Sequence, residues 1–309
     1  MQILVTGGAG FIGSNVVNAY LKKGHRVVIV DNLSTGKLKN IPKKAKFYKA
    51  DICDFKTLEK IFKKEKFDIV NHHAAQIDVR ASLARPQWDA KINILGGMNL
   101  LELCHKYRVK KFIYGSTGGA LYGEMGKNPP DENSLIRSLS PYGVSKYCLE
   151  RYLLLYQTLY GLPFTVLRYS NVYGPRQNPL GEGGVIAIFI HSFLTGKTPT
   201  IFGNGKQLRD FVFVEDVAKA NLLALHRAPN KAINIGCGKT TSILQLFDIL
   251  KEKFCSDIKP KWKPARRGEI LKSGLHIDTA KRVLRWYPSH TLKEGLTKTI
   301  FWQKSDGQA

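Results

Sequence analysis

ILVTGGAGFIGSNVV, residues 3–17, is the stretch that decides how this chain folds. Ile3, Leu4 and Val5 read as a short buried strand, and a helix begins near Phe11. Between them stand Gly7, Gly10 and Gly13, in the spacing G-x-x-G-x-x-G. Glycines so placed allow a tight turn, close backbone approach to a pyrophosphate, and intimate packing of helix on strand. The helix N-terminus then offers free N–H groups and partial positive charge to phosphate oxygens. A second strand, HRVVIV (25–30), leads into Asp31. An acid there accepts hydrogen bonds from both hydroxyls of an adenosine ribose and repels a 2′-phosphate, which favours NAD over NADP. The plain alternative is a Gly-rich turn followed by an ordinary N-cap acid. The order strand, glycines, helix, strand, acid argues against it.

Further strand-like runs lie outward of this unit. The six fall near 2–5, 26–30, 46–50, 67–71, 110–115 and 163–168, with helices beginning near 11, 54, 88 and 141. Such alternation predicts an α/β fold, a Rossmann-type doubly wound parallel sheet covered on both faces. After Arg168 the pattern changes. NVYGPRQNPLGEGG (171–184) reads as a loop, VIAIFIHSFLTG (185–196) as a helix, and RDFVFV (209–214) as a strand. VEDVAKANLLALHRA (214–228) reads as a helix, and AINIG (232–236) as a strand returning to the parallel sheet. From about 239 the chain reads as two or three helices and the basic loop KPARRGE (263–269). Residues 1–170 are therefore read as a dinucleotide-binding domain with return segments near 205–238. Residues 171–309 form mainly a smaller C-terminal substrate-binding α/β lobe. A lobe closing over the carboxyl ends of the strands puts a ligand where open α/β sheets bind one.

The run SPYGVSKYCLERYL (140–153) carries the chemistry. Tyr142 and Lys146 stand four apart in a predicted helix, so phenol and ammonium share one face. A cation beside a phenol lowers its pKa and makes it a usable base near neutral pH. Tyr107 and Lys111 have the same spacing but straddle a helix end and the strand KFIYGS, and that pair is read as chance. His72 and His73 look like a metal pair, yet neighbours on a strand point to opposite faces, so no metal is assigned.

Composition narrows the function classes. Of 309 residues, 43% are hydrophobic, enough for a substantial core. The five cysteines show no C-x-x-C and no His/Cys ligand spacing, which reads as isolated thiols. No apolar run is long enough to span a bilayer, and the chain starts directly on a strand, so the expected setting is the cytoplasm without membrane attachment. Lys and Arg number 48 against 24 Asp and Glu, a net charge of +24. The charges are dispersed in short clusters such as KKAK and KKEK, with no nucleic-acid-binding motif. They read as a solvated basic surface that attracts anionic substrates, with salt-sensitive non-specific nucleic-acid binding as a side effect.

With these runs in view, the chain resembles the extended short-chain dehydrogenase/reductase superfamily, and within it the UDP-glucose 4-epimerase (NAD-dependent epimerase/dehydratase) family. The landmarks are TGGAGFIGS (6–14), DNLSTG (31–36), DICD (51–54), HHAAQIDV (72–79) and GSTGGALYGE (115–124). PYGVSK (141–146), LRYSNVYGPRQ (167–177), LRDFVFVEDVA (208–218), NIGCGK (234–239) and ARRGE (265–269) follow. The resemblance implies Tyr142 as base, Lys146 on the nicotinamide ribose, and Thr117 as the catalytic hydroxyl. The local run is one residue longer than in some epimerases, so Ser116 stays as the alternative. It further implies NAD contacts from Gly7, Gly10, Phe11, Ile12, Gly13, Asp31, Asn32, Ser34, Thr35, Gly36, Asp51 and Ile52, and from His73, Ala74, Ala75, Asn93 and Tyr169. Thr117, Asn171, Val185, Arg209 and Arg266 are implied to hold the UDP-sugar, since guanidinium groups bind diphosphates through bidentate bonds. A homodimer through the helices beginning near 88 and 141 is also implied.

The implied reaction is 4-epimerisation of a UDP-hexose through a transient 4-keto sugar, with NAD as resident cofactor. Gly118 and Gly119 follow Thr117 where a 4,6-dehydratase needs an acid pair, and the Glu usual in a UDP-glucuronate decarboxylase is also missing. The nearest rivals are 4-epimerases of UDP-N-acetylhexosamines or UDP-uronates. The residue limiting acetamido sugars falls among Ser273, Gly274 and Leu275, because the chain reads Gly268-Glu269-Ile270-Leu271 with two extra residues before Asp278. A family member turned NAD sensor or nucleic-acid binder is the non-enzymatic rival, and the intact Thr117, Tyr142 and Lys146 set speaks against it.

Overall fold

A computed structural model describes residues 1–179, 184–266 and 268–306. Residues 180–183 of the Gly/Pro/Asn loop and Arg267 of the basic loop lie outside them. The strands are β1 (Gln2–Thr6), β2 (Arg26–Asp31), β3 (Lys46–Lys49), β4 (Ile69–His72), β5 (Lys111–Thr117), β6 (Phe164–Tyr169) and β7 (Asn171–Tyr173). They continue as β8 (Thr200–Phe202), β9 (Leu208–Phe213), β10 (Lys231–Ile235), β11 (Thr240–Ser242), β12 (Lys261–Lys263) and β13 (Lys272–Ser273). The helices are α1 (Phe11–Lys22), α2 (Phe55–Glu65), α3 (Val79–Ala84), α4 (Pro86–Ala90) and α5 (Gly96–Lys106). Then come α6 (Pro141–Tyr160), α7 (Val185–Leu194), α8 (Val214–Ala224), α9 (Ile243–Lys253) and α10 (Leu292–Asp306).

Seven strands form one parallel sheet in the order β10-β6-β5-β4-β1-β2-β3. Strand order reverses between β1 and β4, which opens a crevice at their carboxyl ends. β1 is apolar on both faces, as a strand covered twice must be. Ile3 and Val5 pack with Val16, Val17 and Tyr20 of α1, while Leu4 packs with Leu58, Phe62, Leu100 and Leu153 on the other side. AINIG does return to this sheet, as β10 beside β6. A smaller sheet joins β7, β9, β11 and β13. Its apolar cluster includes Tyr173, Ile186, Phe189, Phe193 and Phe247.

The strands and the helix starts near 11, 54 and 141 lie within two residues of their expected places. The helix expected near 88 starts at Pro86 and runs to Lys106 through a π-turn at Lys91–Leu95, and α3 ahead of it was not foreseen. Proline at the first position and an Asp78 cap on Ala81 N explain why two short helices form there. Lys111 is buried at the start of β5, its Nζ donating to the carbonyls of Ala224 (2.5 Å) and Arg227 (2.8 Å), so the Tyr107/Lys111 spacing is structural. No helix among the described residues is long and apolar enough to cross a membrane.

Candidate active site

The glycine turn comes first. Gly7 adopts φ +69°, and a Cβ there would lie 2.5 Å from Ala74 N. A Cβ on Gly13 would lie 2.2 Å from Gly7 O, so α1 can sit this close to the turn only without a side chain. The first turn of α1 has no side-chain cap and no acidic residue, which leaves its N–H groups to an anion. Gly10, Phe11 and Ile12 are all partly exposed at this turn.

Asp31 is buried at the end of β2. Its Oδ2 accepts from Ala9 N (3.0 Å) and its Oδ1 from Leu33 N (2.8 Å). A carboxylate has about four acceptor sites, so lone pairs remain for ribose hydroxyls. Gly36 leaves room here, since its Cβ would stand 2.8 Å from Asp31 Oδ1. Asn32 donates to Asp51 (2.9 Å) and accepts from Ser34 N (3.0 Å), while Thr35 is exposed. Ile52 is buried beneath Gly96, against which its side chain leaves no space for a Cβ. Donor turn, ribose acid and adjoining loop together fit an adenine dinucleotide.

Tyr142 and Lys146 stand on the first turns of α6, which Ser140 caps by accepting from Gly143 N (3.2 Å). Thr117, at the end of β5, lies close enough to the Tyr142 hydroxyl to favour its ionised form. Ser116 is turned away. Its Oγ donates to Glu150 (2.6 Å), which is held by Arg168 at 2.6 Å in a buried ion pair. Alternation along β5 thus sends Thr117 and Ser116 to opposite sides, and only Thr117 meets the phenol.

Lys146 does not behave as its spacing suggested. Its Nζ donates to Gly115 O (2.6 Å) and sits 4.2 Å from the centre of the Tyr114 ring. Burial pulls its pKa down to about 7, against the upward pull of Glu150 and Asp89. The Tyr142 pKa is raised, not lowered: burial is the main cause, Asp89 adds to it, and Thr117 opposes it. The phenol is desolvated, and the ammonium, turned to the Gly115 carbonyl and the Tyr114 ring, does not offset this.

His72 and His73 do face opposite ways. His72 bonds Thr6 Oγ1 (2.7 Å) and stacks on Tyr114, whereas His73 contacts the Tyr169 hydroxyl (3.2 Å). Burial and the charge of Lys146 push the His73 pKa down to about 3. Ala74 and Ala75 follow beside the glycine turn, Ala74 N lying 3.4 Å from Thr6 Oγ1. Among the described residues no group of His, Cys, Asp and Glu is placed to hold a metal.

The residues assigned to the UDP-sugar gather less tightly. Arg209 is largely buried on β9 and pairs with Glu269 at 3.3 Å. Arg266 is exposed and lies over the Phe202 ring at 3.8 Å, joined to Glu269 by the turn bond from Glu269 N to Arg266 O. Asn171 is exposed on β7, and Val185 opens α7 half-buried. Of the three gate positions, Leu275 is buried against Gly118, Gly274 lies against Thr240 and Met125, and Ser273 is half-buried across from Gly119.

Sequence reasoning missed a polar cluster behind the site. Asp89, fully buried, accepts from Ser145 Oγ (2.6 Å), Gln76 Nε2 (2.9 Å) and Asn93 Nδ2 (3.1 Å). Asn93 Oδ1 accepts in turn from Gln76 N (2.9 Å). Asn93 lies in the π-turn, a distortion that often marks functional positions. No local spacing signals this cluster. Glu150 was findable, since 142, 146 and 150 follow one helix face.

A family model described as the NAD dependent epimerase/dehydratase family matches residues 3–236. A Methanocaldococcus jannaschii protein described as a putative UDP-glucose 4-epimerase is 49% identical, over 99% of this chain and 100% of its own. The crystal structure of a Thermotoga maritima UDP-glucose 4-epimerase with UDP-glucose is 48% identical with TM-score 0.97, covering 99% of both chains. That of a Thermus thermophilus UDP-glucose 4-epimerase in complex with NAD is 39% identical with TM-score 0.94, over 98% of this chain and 99% of that one.

Proposed function

This chain belongs to the NAD dependent epimerase/dehydratase family, and we propose that within it the chain interconverts UDP-glucose and UDP-galactose at carbon 4. The observation that carries this reading is Thr117 at the carboxyl end of β5 beside Tyr142 on the first turn of α6, with Lys146 one turn on and bonded to Gly115 O. NAD⁺, when bound, would supply the hydride acceptor and later the donor. Tyr142 takes the proton of the sugar 4-hydroxyl and returns it, and Thr117 holds that oxygen in place. Lys146 binds the nicotinamide ribose. Arg209 and Arg266 grip the diphosphate, with Arg209 exchanging Glu269 for phosphate oxygens. That remote grip keeps the 4-keto sugar from leaving while it turns to present its other face. Gly118 and Gly119 offer no acid, so water is not eliminated.

The dinucleotide contacts are assigned to Gly7, Gly10, Phe11, Ile12 and Gly13 for the pyrophosphate and to Asp31 through Gly36, Asp51 and Ile52 for the adenosine. Ser273, small and across from Gly119, supports a second reading in which a UDP-N-acetylhexosamine is also admitted. The five free thiols fit a reducing, cytoplasmic setting. A homodimer fits the exposed apolar residues Val144, Leu155 and Leu159 along one side of α6.

Incubation with UDP-glucose, UDP-N-acetylglucosamine and UDP-glucuronate separately, read by NMR, tests the proposal. Galactose-configured product from UDP-glucose is expected. Turnover of UDP-glucuronate alone would replace the hexose with a uronate, and no turnover of any would reject the enzyme reading.

A further inference from the structure

The mechanism gives the buried carboxylate of Asp89 no task. Asp89 lies at the end of α4 with no exposed surface, and its three hydrogen-bond donors, Ser145, Gln76 and Asn93, are all neutral. Every contact the carboxylate makes is with a donor, which is the arrangement an anion needs. Glu150 is the other buried acid near Lys146, but its charge is matched by Arg168 at 2.6 Å. Asp89 has no such match among its bonded partners. Ser145 stands next to Lys146 in the chain, and its Oγ lies 3.0 Å from the Tyr142 carbonyl.

We infer that Asp89 is a positioning residue, the counter-charge that keeps Lys146 protonated inside the crevice and, through Ser145, the anchor for the first turn of α6. A buried ammonium needs an anion or it loses its proton. The groups facing Lys146 can be counted by element. Glu150 on α6 and Asp89 on α4 hold its charge, while His72 and His73 on β4 are neutral. Tyr114 on β5 offers its ring face, and Tyr142 precedes it by one turn. Glu150 gives the larger pull but shares its charge with Arg168, whereas Asp89 has no cation among its bonded partners. The same charge disfavours ionisation of Tyr142, in line with the raised phenol. Asp89 therefore keeps the tyrosine a proton donor until positive charge gathers at the site.

The inference rests on the proposed roles of Tyr142 and Lys146, so its test reads the lysine directly. Protein labelled with 13C at the lysine ε carbon is titrated by NMR, with the Lys146 signal identified by its loss in Lys146→Met. Asp89→Asn removes the charge and keeps the shape. Asp89→Ala makes the same charge change should the first variant not fold. Ser145→Ala removes a hydrogen bond and keeps the charge. The Lys146 titration moves down by roughly one unit in Asp89→Asn or Asp89→Ala, the size expected for losing a nearby opposite charge. In Ser145→Ala it stays in place. The acid limb of the pH profile of kcat/KM moves acidward with the charge change, because the Tyr142 phenol loses the negative charge that opposed its ionisation. An unmoved lysine in the charge variants, or an equal shift in Ser145→Ala, overturns the inference. A lysine that moves while the activity profile does not leaves the counter-charge standing and counts against the proposed catalytic roles.

Discussion

Two side chains decide what the site can do. In the proposed mechanism Tyr142 carries the proton, so Tyr142→Phe should lower turnover by roughly 10²–10⁴, as for a lost general acid–base group. NAD should stay bound, which absorbance and mass of the cofactor released on denaturation will show. Unchanged turnover would refute the role. Lys146 predicts a pH dependence of stability. Its pKa is lowered from 10.5 to about 7 in the folded chain, so between those values the unfolded chain binds more protons. Stability therefore rises with pH across about 7 to 10.5, and the cost of burying the ammonium is full below that window. Lys146→Met removes this cost, on the order of a few kcal/mol. Its melting temperature relative to the parent should be most favourable at pH 6 and decline toward pH 10, measured by calorimetry at several pH values. A flat difference would mean that the lysine is not held desolvated.

The glycine turn shows the same logic one level up, where two elements must nearly touch. In Gly13→Ala the new methyl meets the Gly7 carbonyl at 2.2 Å, and backbone cannot rotate aside as a side chain can. Overpacking of this kind costs roughly 1–3 kcal/mol. It should also tilt α1 off the pyrophosphate, so the variant melts lower and loses NAD on gel filtration. Gly24→Ala is the control: φ is +77° but nothing lies within 4 Å, so it should cost roughly 1 kcal/mol and retain NAD. These elements were legible in the sequence because their signals are local. Strand, glycines and acid follow one another along the chain, and Tyr142 and Lys146 are separated by one helical turn. Ser116 and Thr117 were not separable until the register of β5 was known, because alternation tells that they diverge and not which one faces α6. Asp89, Gln76 and Ser145 were invisible for a different reason. Their meeting depends on how α4, the loop after β4 and α6 pack, and no spacing records that. Arg266 matched its motif, yet a loop position does not fix where a long side chain lies, and it rests on Phe202.

The whole molecule has to reconcile a net charge of +24 with the proposed self-association. Most of the excess lies in solvated lysines, and two such chains repel one another at long range. In the proposed dimer the apolar side of α6 draws them together: Val144, Leu155 and Leu159 are 56%, 45% and 59% exposed, at positions that follow one helix face. Burying such residues is favourable at any salt concentration, whereas the repulsion is screened as ions are added. The Debye length falls from roughly 30 Å at 0.01 M to about 8 Å at 0.15 M. The dimer should therefore tighten with salt, the reverse of one held by ion pairs. Sedimentation equilibrium across that range should show the dissociation constant falling. Leu155→Glu, which places a charge in the apolar side, should give monomer at every salt concentration while keeping the parent's circular dichroism. A parent that dissociates as salt is raised would assign the contact to charge pairs and remove α6 from the interface.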